Sequence, residues 1–233
     1  MTTEFETMPL AATATDTAVS NYGEHPLPED TRVSSMELPV LDGQSLITVP
    51  DGPQWNKWGR WKRSAASEAW HFYCVDSKFE TLLRDPMKLA DTGASCAVEV
   101  NISSFGDDPL PVALAGLYRK RCVSKIWQEQ GVNVFIDLFV DGWTRELVLD
   151  GVPTDHCLYA TKYAKADMSG SPLGIEAIAA DFALAATHCS KPEQMVFAVY
   201  GGGKQISDLC RKNSWLWLPP FDPRKLTDGT SSN

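Results

Sequence analysis

The chain is 233 residues long with a formal net charge of −9, a length that suits one domain plus an extension. The charge is uneven: residues 1–45 hold eight acidic residues and one basic one, Arg32, leaving 22 acidic and 20 basic in the rest. The body is therefore close to neutral, and the acidity of the whole does not exclude a polyanionic partner. No apolar run approaches the roughly 18 residues of a membrane span. The opening MTTEFETMPLAATATDTAVS lacks the basic segment of a signal or transit peptide. The expectation is a cytoplasmic protein with no membrane partner.

In chain order, residues 1–45 are rich in Thr, Ala, Ser, Pro and acid, and bury too little apolar area to offset chain entropy. They read as a disordered tail, with a short anchoring piece at Met36–Leu41. A single α/β domain is expected over 46–222, which at about 180 residues folds without staples, and a second disordered tail over 223–233. Residues 55–63, WNKWGRWKR, space Trp55, Trp58 and Trp61 by three, with Lys57, Arg60, Lys62 and Arg63 among them. Strands and helices then alternate. His71–Val75 reads as a short strand, and Ser77–Arg84 as a helix with Ser77 as N-cap and Glu80 completing a capping box. Ala94–Ile102 reads as a strand. Pro109–Gln130 is the longest helix, with Leu110, Ala113, Leu114, Leu117, Val123 and Trp127 near helical spacing and Gly131 as its stop. Val132–Val140, VNVFIDLFV, has the continuous apolar pattern of a strand buried on both faces. Cys157–Ala160 is a strand, Ser171–Cys189 a helix and Gln194–Tyr200 a second fully apolar strand. Gly201–Gly203 lead into a helix over Gln205–Lys212, and Trp215–Leu218 forms a last strand.

This alternation argues for an α/β fold: a mainly parallel sheet with flanking helices, either a partial or irregular barrel or an open doubly wound sheet. The six Cys lie no closer than 21 residues apart. That spacing offers no zinc-ligand pair, no metal site is assigned, and buried reduced thiols are expected.

Several segments resemble the DUF4417 family, whose members are uncharacterised proteins of bacteria, archaea and viruses. The resemblance is carried by HFYCVDSKFE (His71–Glu80), by DPLPVALAGLYRKRCVSKIWQEQGVNVFIDL (Asp108–Leu138), by LDGVP (Leu149–Pro153) and by KPEQMVFAVYGG (Lys191–Gly202). Its most specific piece is a Tyr-Arg-x-Arg helix followed by WQEQG and a strand: Tyr118, Arg119, Arg121, Trp127, Gln128 and Gly131. The resemblance implies a setting, a prokaryotic cytoplasm in a phage or other mobile element, and leaves the reaction and any cofactor open.

Three groups of residues are candidates for function. Trp55, Trp58 and Trp61 with Lys57, Arg60, Lys62 and Arg63 have the composition of a strip that stacks bases and contacts phosphates; the plainer reading is an anchor for the tail. Arg119, Arg121 and Lys125, with Arg145, suggest an anion-binding patch, or else a solvated helix face. Glu99 with Asn101, and Asp137 with Asp141, near Asp107 and Asp108, lie at strand ends, where α/β sheets bind ligands and where paired carboxylates serve acid–base chemistry. Asp137 stands out because an ionisable group inside an apolar strand is costly unless paired.

Gly201, Gly202, Gly203 and Lys204 form a strand-to-helix loop that can hold a phosphate on backbone N–H groups; the alternative is a tight turn. No Walker A, GxGxxG or GxSxG pattern is present. His71 is the first histidine to consider beside the strand carboxylates, while His25, His156 and His188 are scattered. The leading expectation is association with single-stranded nucleic acid in a phage or mobile element. The alternatives are a hydrolase-type enzyme using Asp137, Glu99 and Asn101, and an interaction protein that binds a host or phage protein through its acidic tail or an exposed Trp face.

Overall fold

The structure is a computed structural model that describes residues 27, 29–45, 48–59, 68–103, 108–140, 145, 147–164 and 174–220. Seven strands, β1 (Trp55–Lys57), β2 (Ala69–His71), β3 (Cys96–Val98), β4 (Asn133–Asp137), β5 (Leu158–Lys162), β6 (Val196–Tyr200) and β7 (Leu216–Leu218), form one sheet. Every pairing is parallel, and the order in the sheet is the order in the chain. The helices named among the described residues are α1 (Glu80–Arg84), α2 (Met87–Ala90), α3 (Leu110–Glu129), α4 (Gly174–His188) and α5 (Gly203–Asn213).

This strand order decides between the two expected architectures. A sheet that adds each strand beside the last always steps the same way. Right-handed crossovers then place the helices on one face, and the twisted sheet curls until its other face closes on itself. One apolar cluster accordingly takes Trp55, Ala69, Val98, Phe135, Ala160, Ala198 and Leu218, one residue from each strand. Rings meet across this interior: Trp55 lies edge-on to Phe135 at 5.1 Å, and His71 lies 4.5 Å from Tyr200. The fold is a nearly closed, barrel-like parallel sheet.

At the seam, the turn Gly52–Gln54 that enters β1 packs on β7. A methyl group on Gly52 would lie 1.8 Å from the Trp217 carbonyl oxygen, so only glycine permits this approach. Outside, α1, α2 and α3 cover β2–β4 around Phe72, Phe79, Leu82 and Trp127. The helices α4 and α5 cover β4–β7 around Ile178, Phe197, Ile206 and Cys210.

Two expectations are corrected. The tail read over 1–45 does not extend to residue 45. Leu38 and Leu41 are 2% and 0% exposed, and the Leu41 amide donates to the Gly151 carbonyl at 2.8 Å. The Gln44 side chain accepts from Val134 N at 2.9 Å and donates to Val132 O at 3.1 Å. Residues 29–45 are thus a strap across the outer surface, while 1–26 lie outside the described residues.

The second correction concerns the helix read from Ser77. Residues Asp76–Lys78 form a 3-10 turn and α1 starts at Glu80 with no side-chain cap. The Asp76 carboxylate instead accepts from the Ser103 amide at 3.0 Å and the Ser103 hydroxyl at 2.9 Å. Five of the six thiols are buried, Cys74 is half-buried, and all are free. Among the described residues no helix is long and apolar enough to cross a membrane.

Candidate functional site

Successive side chains of a strand point to opposite faces. The alternation that places Trp55, Ala69, Phe135, Ala160 and Ala198 inside also turns Lys57, His71, Asp137, Lys162 and Tyr200 inward, at or next to the C-terminal ends of their strands. Tyr73 and Asn101 join them from just beyond β2 and β3. This is the mouth of the barrel.

Asp137 is its hub. Oδ1 accepts from the Tyr73 hydroxyl at 3.1 Å and from the Phe139 amide at 3.1 Å. Oδ2 accepts from Asn101 Nδ2 at 2.8 Å and from Lys120 Nζ at 3.1 Å. Asp137 and Lys120 are 0% and 1% exposed. Four donors fill the four acceptor positions of a carboxylate, which offsets the several kcal/mol that desolvating each ion costs. Burial, with the Asp137 charge and hydrogen bond, pushes the Tyr73 phenol well above its ordinary value. Tyr73 therefore stays a neutral donor at neutral pH. It stacks on Tyr200 at 5.2 Å.

His71, 2% exposed, sits between these rings and Lys57. Burial, then the Lys57 charge, lowers its pKa to about 3. Its Nδ1 is buried with no hydrogen-bond partner. The Lys162 ammonium lies 5.0 Å from the centre of the Phe139 ring.

Of the expected carboxylate group, the structure links Glu99, Asn101 and Asp137, but across two faces of the sheet. Glu99 Oε2 accepts from the Asp137 amide at 3.2 Å. Its Oε1 faces α3, where it pairs with Arg121 and accepts from Ser124 at 3.0 Å. Burial pushes the Glu99 carboxyl up, yet the Arg121 and Lys120 charges outweigh this and hold it below the usual carboxylate value. Glu99 is a fully buried structural ion pair; Asp137 alone of the two carboxylates faces the interior. Asp107 and Asp141 lie outside the described residues. Arg145 pairs with Asp181 on α4 at 2.7 Å.

The basic helix patch is corrected. Arg121 is fully buried, and besides Glu99 it donates to the carbonyls of Val148 and Asp150. Lys125 is 7% exposed and bonded to Asp42 at 2.8 Å and Glu129 at 2.9 Å. Both charges are already neutralised. Arg119 lines a groove of about 730 Å³ along the N-terminal half of α3, with Leu38, Ile102, Gly116, Lys120 and Val140.

The Trp segment divides. Trp55 is inside the barrel, 6% exposed, with its indole N–H on Pro50 O at 3.0 Å. Trp58 packs outside on Trp70 at 5.2 Å and Phe72 at 5.7 Å. Arg60, Trp61, Lys62 and Arg63 lie outside the described residues, as does His25. The other histidines meet backbone: His156 Nε2 lies 3.0 Å from Val134 O, and His188 Nε2 2.9 Å from Val152 O.

Gly201, Gly202 and Gly203 leave β6 at the mouth and open α5, with Lys204 exposed in its first turn. Gly202 is the N-cap at φ 73° and has no side chain to cap the helix. A methyl group there would lie 2.0 Å from Ile206 Cγ1, so both conformation and space require glycine.

Sequence reasoning missed Tyr73, Lys120, Lys162 and Tyr200 as members of one site. The signal for Lys162 and Tyr200 is the in-register parallel pairing of β5 with β6, which one sequence does not reveal. Lys120 lies within the Arg-rich helix that the sequence offers as an anion-binding patch or else a solvated face.

Compared with known proteins, the chain matches the family model described as Domain of unknown function (DUF4417) over residues 31–163. Neither a curated protein nor a solved structure matches it.

Proposed function

We propose that this chain, which belongs to the DUF4417 family, is a hydrolase-type enzyme that works at the mouth of its barrel. The observation that carries the reading is Asp137. A fully buried carboxylate on the inner face of a strand gathers Tyr73 and Asn101 from the segments after β2 and β3 and Lys120 from α3. Charged networks of this kind stabilise a core less than apolar residues of the same volume, and barrels with this connectivity keep their chemistry at the C-terminal ends of the strands. In this reading Asp137 is the proton acceptor and is freed when substrate takes over one of its four donors. Tyr73 and Asn101 position the reacting group, and Lys120 balances the charge.

The test is a panel of chromogenic phosphomonoesters, phosphodiesters, carboxylic esters and glycosides, each with and without divalent metal. At least one class is expected to turn over, with Asp137→Asn slower by about 10²-fold or more, the scale of general-base catalysis. Because Asp137→Asn disturbs a buried ion pair, Tyr73→Phe serves as the second variant. It deletes one hydroxyl, and turnover is expected to fall while circular dichroism and melting stay native. Wild-type rates no higher than those of Asp137→Asn in every class would overturn the reading.

A second reading, association with single-stranded nucleic acid in a phage or mobile element of a bacterial host, draws support from the inward Lys57 and Lys162 and from the basic run at 60–63. Arg121 and Lys125, neutralised in the core, lend it none.

A further inference from the structure

The mouth of the barrel collects positive charge that the acid–base network does not use. Lys57 on β1 and Lys162 on β5 both turn inward at its rim, and neither has a carboxylate partner among the described residues. Two lysines four strands apart thus turn into the same mouth, since each lies two residues on from an interior residue of its strand, Trp55 or Ala160. Asp137 adds no uncompensated negative charge there, since Lys120 is bonded to it at 3.1 Å.

Next to this space, Tyr200 ends β6, and two glycines further on α5 begins. The first N–H groups of a helix have no partner within it. Gly202 brings no side chain to satisfy them, and the helix dipole favours an anion at that end. His71 is the independent sign of a missing ligand. It is 2% exposed, it lies in the same layer 4.5 Å from Tyr200, and its buried Nδ1 has no partner. Buried polar atoms of native proteins are almost always bonded, so one left open at a cationic mouth marks a place that a ligand completes.

We propose that the mouth binds the phosphate group of a small phosphomonoester, held by Lys57 and Lys162, by His71 as a neutral hydrogen-bonding group and by the start of α5 at Gly202–Gly203. A doubly charged tetrahedral group matches two ammonium groups from opposite sides together with N–H donors. The proposal names the substrate class of the site described above and in that sense rests on the enzymatic reading, but its measurement needs no turnover.

The experiment is calorimetric titration of the full chain with inorganic phosphate, a nucleoside 5′-monophosphate and an eight-nucleotide single strand, at low and moderate salt. Saturable binding of phosphate and of the monophosphate is expected. Lys57→Gln and Lys162→Gln should each weaken it about tenfold. Lys191→Gln, exposed at the far end of the barrel, should leave it unchanged. Absence of saturable phosphate binding, or equal affinity in the Lys57→Gln/Lys162→Gln double variant, overturns the proposal. So does a strand that binds tenfold more tightly than the monophosphate, which points to nucleic acid instead. Binding without hydrolysis of any panel substrate removes the enzymatic reading and leaves the phosphate site standing; hydrolysis without phosphate binding does the reverse.

Discussion

At the scale of single residues, the same amino-acid types play opposite parts according to the face they occupy. Glu99 and Asp137 both looked like strand-end acids. One is held on the outer face by Arg121 and Ser124, the other on the inner face by Tyr73, Asn101 and Lys120. His71 carries a consequence for stability. Folded, its pKa is about 3; unfolded, it returns to the ordinary value near 6.5. Between those values the unfolded chain binds a proton that the native chain does not, so stability falls as pH drops below about 6.5, by about 1.4 kcal/mol per pH unit from this group. Above that pH the group contributes no slope. His156, also lowered by burial, acts in the same direction. Urea unfolding at pH 7, 6, 5 and 4.5 is expected to show this loss, and His71→Leu to remove its share of the slope. An unchanged slope in His71→Leu would place the acid sensitivity elsewhere.

At the scale of elements, α3 shows where periodicity misleads. Its apolar spacing located it within a residue of its observed ends, yet every residue from Lys120 to Gln128 is buried. One side of the helix packs on the sheet. The other is covered by the strap through Asp42 and by the loop carbonyls of Val148 and Asp150. Polar residues that would normally mark a solvated face are enclosed on both sides, and pairing is what makes that tolerable. Trp127 joins the helix to its layer: fully buried, stacked on Phe72 at 5.3 Å and donating to Pro86 O at 2.9 Å. Trp127→Ala is expected to cost about 3–5 kcal/mol, read as a lowered urea midpoint, with the loss centred on α1–α3. A cost under 1 kcal/mol would mean that this layer repacks freely.

At the scale of the whole molecule, the strap is part of the fold and not a tail. Leu38 and Leu41 each bury a side chain worth about 2 kcal/mol, and Gln44 bonds two backbone groups flanking the start of β4. The sequence reading of residues 1–45 as a disordered tail implies that the domain folds without them. The chain that begins at residue 46 is instead expected to melt about 10 °C lower than the full chain, from about 4 kcal/mol at the usual 2–4 °C per kcal/mol for this size. An identical melting curve would show that the strap adds nothing.

The sequence by itself determined the alternation of strands and helices and the parallel α/β class, because burial on one face or two leaves a local periodic signature, and it pointed to the family through the resemblance of its motifs. It also singled out Asp137, since an acid within VNVFIDLFV conflicts with its own neighbours. Only the tertiary structure decided that the sheet curls into a barrel, because that follows from strand order, and order is a relation between segments far apart in the chain. The same holds for the mouth. Lys57, His71, Asp137, Lys162 and Tyr200 span about 140 positions and meet only because parallel strands bring their C-terminal ends to one side. No local pattern encodes that meeting, which is why Lys120 and Arg121, adjacent in sequence, pair with acids on opposite faces of the sheet.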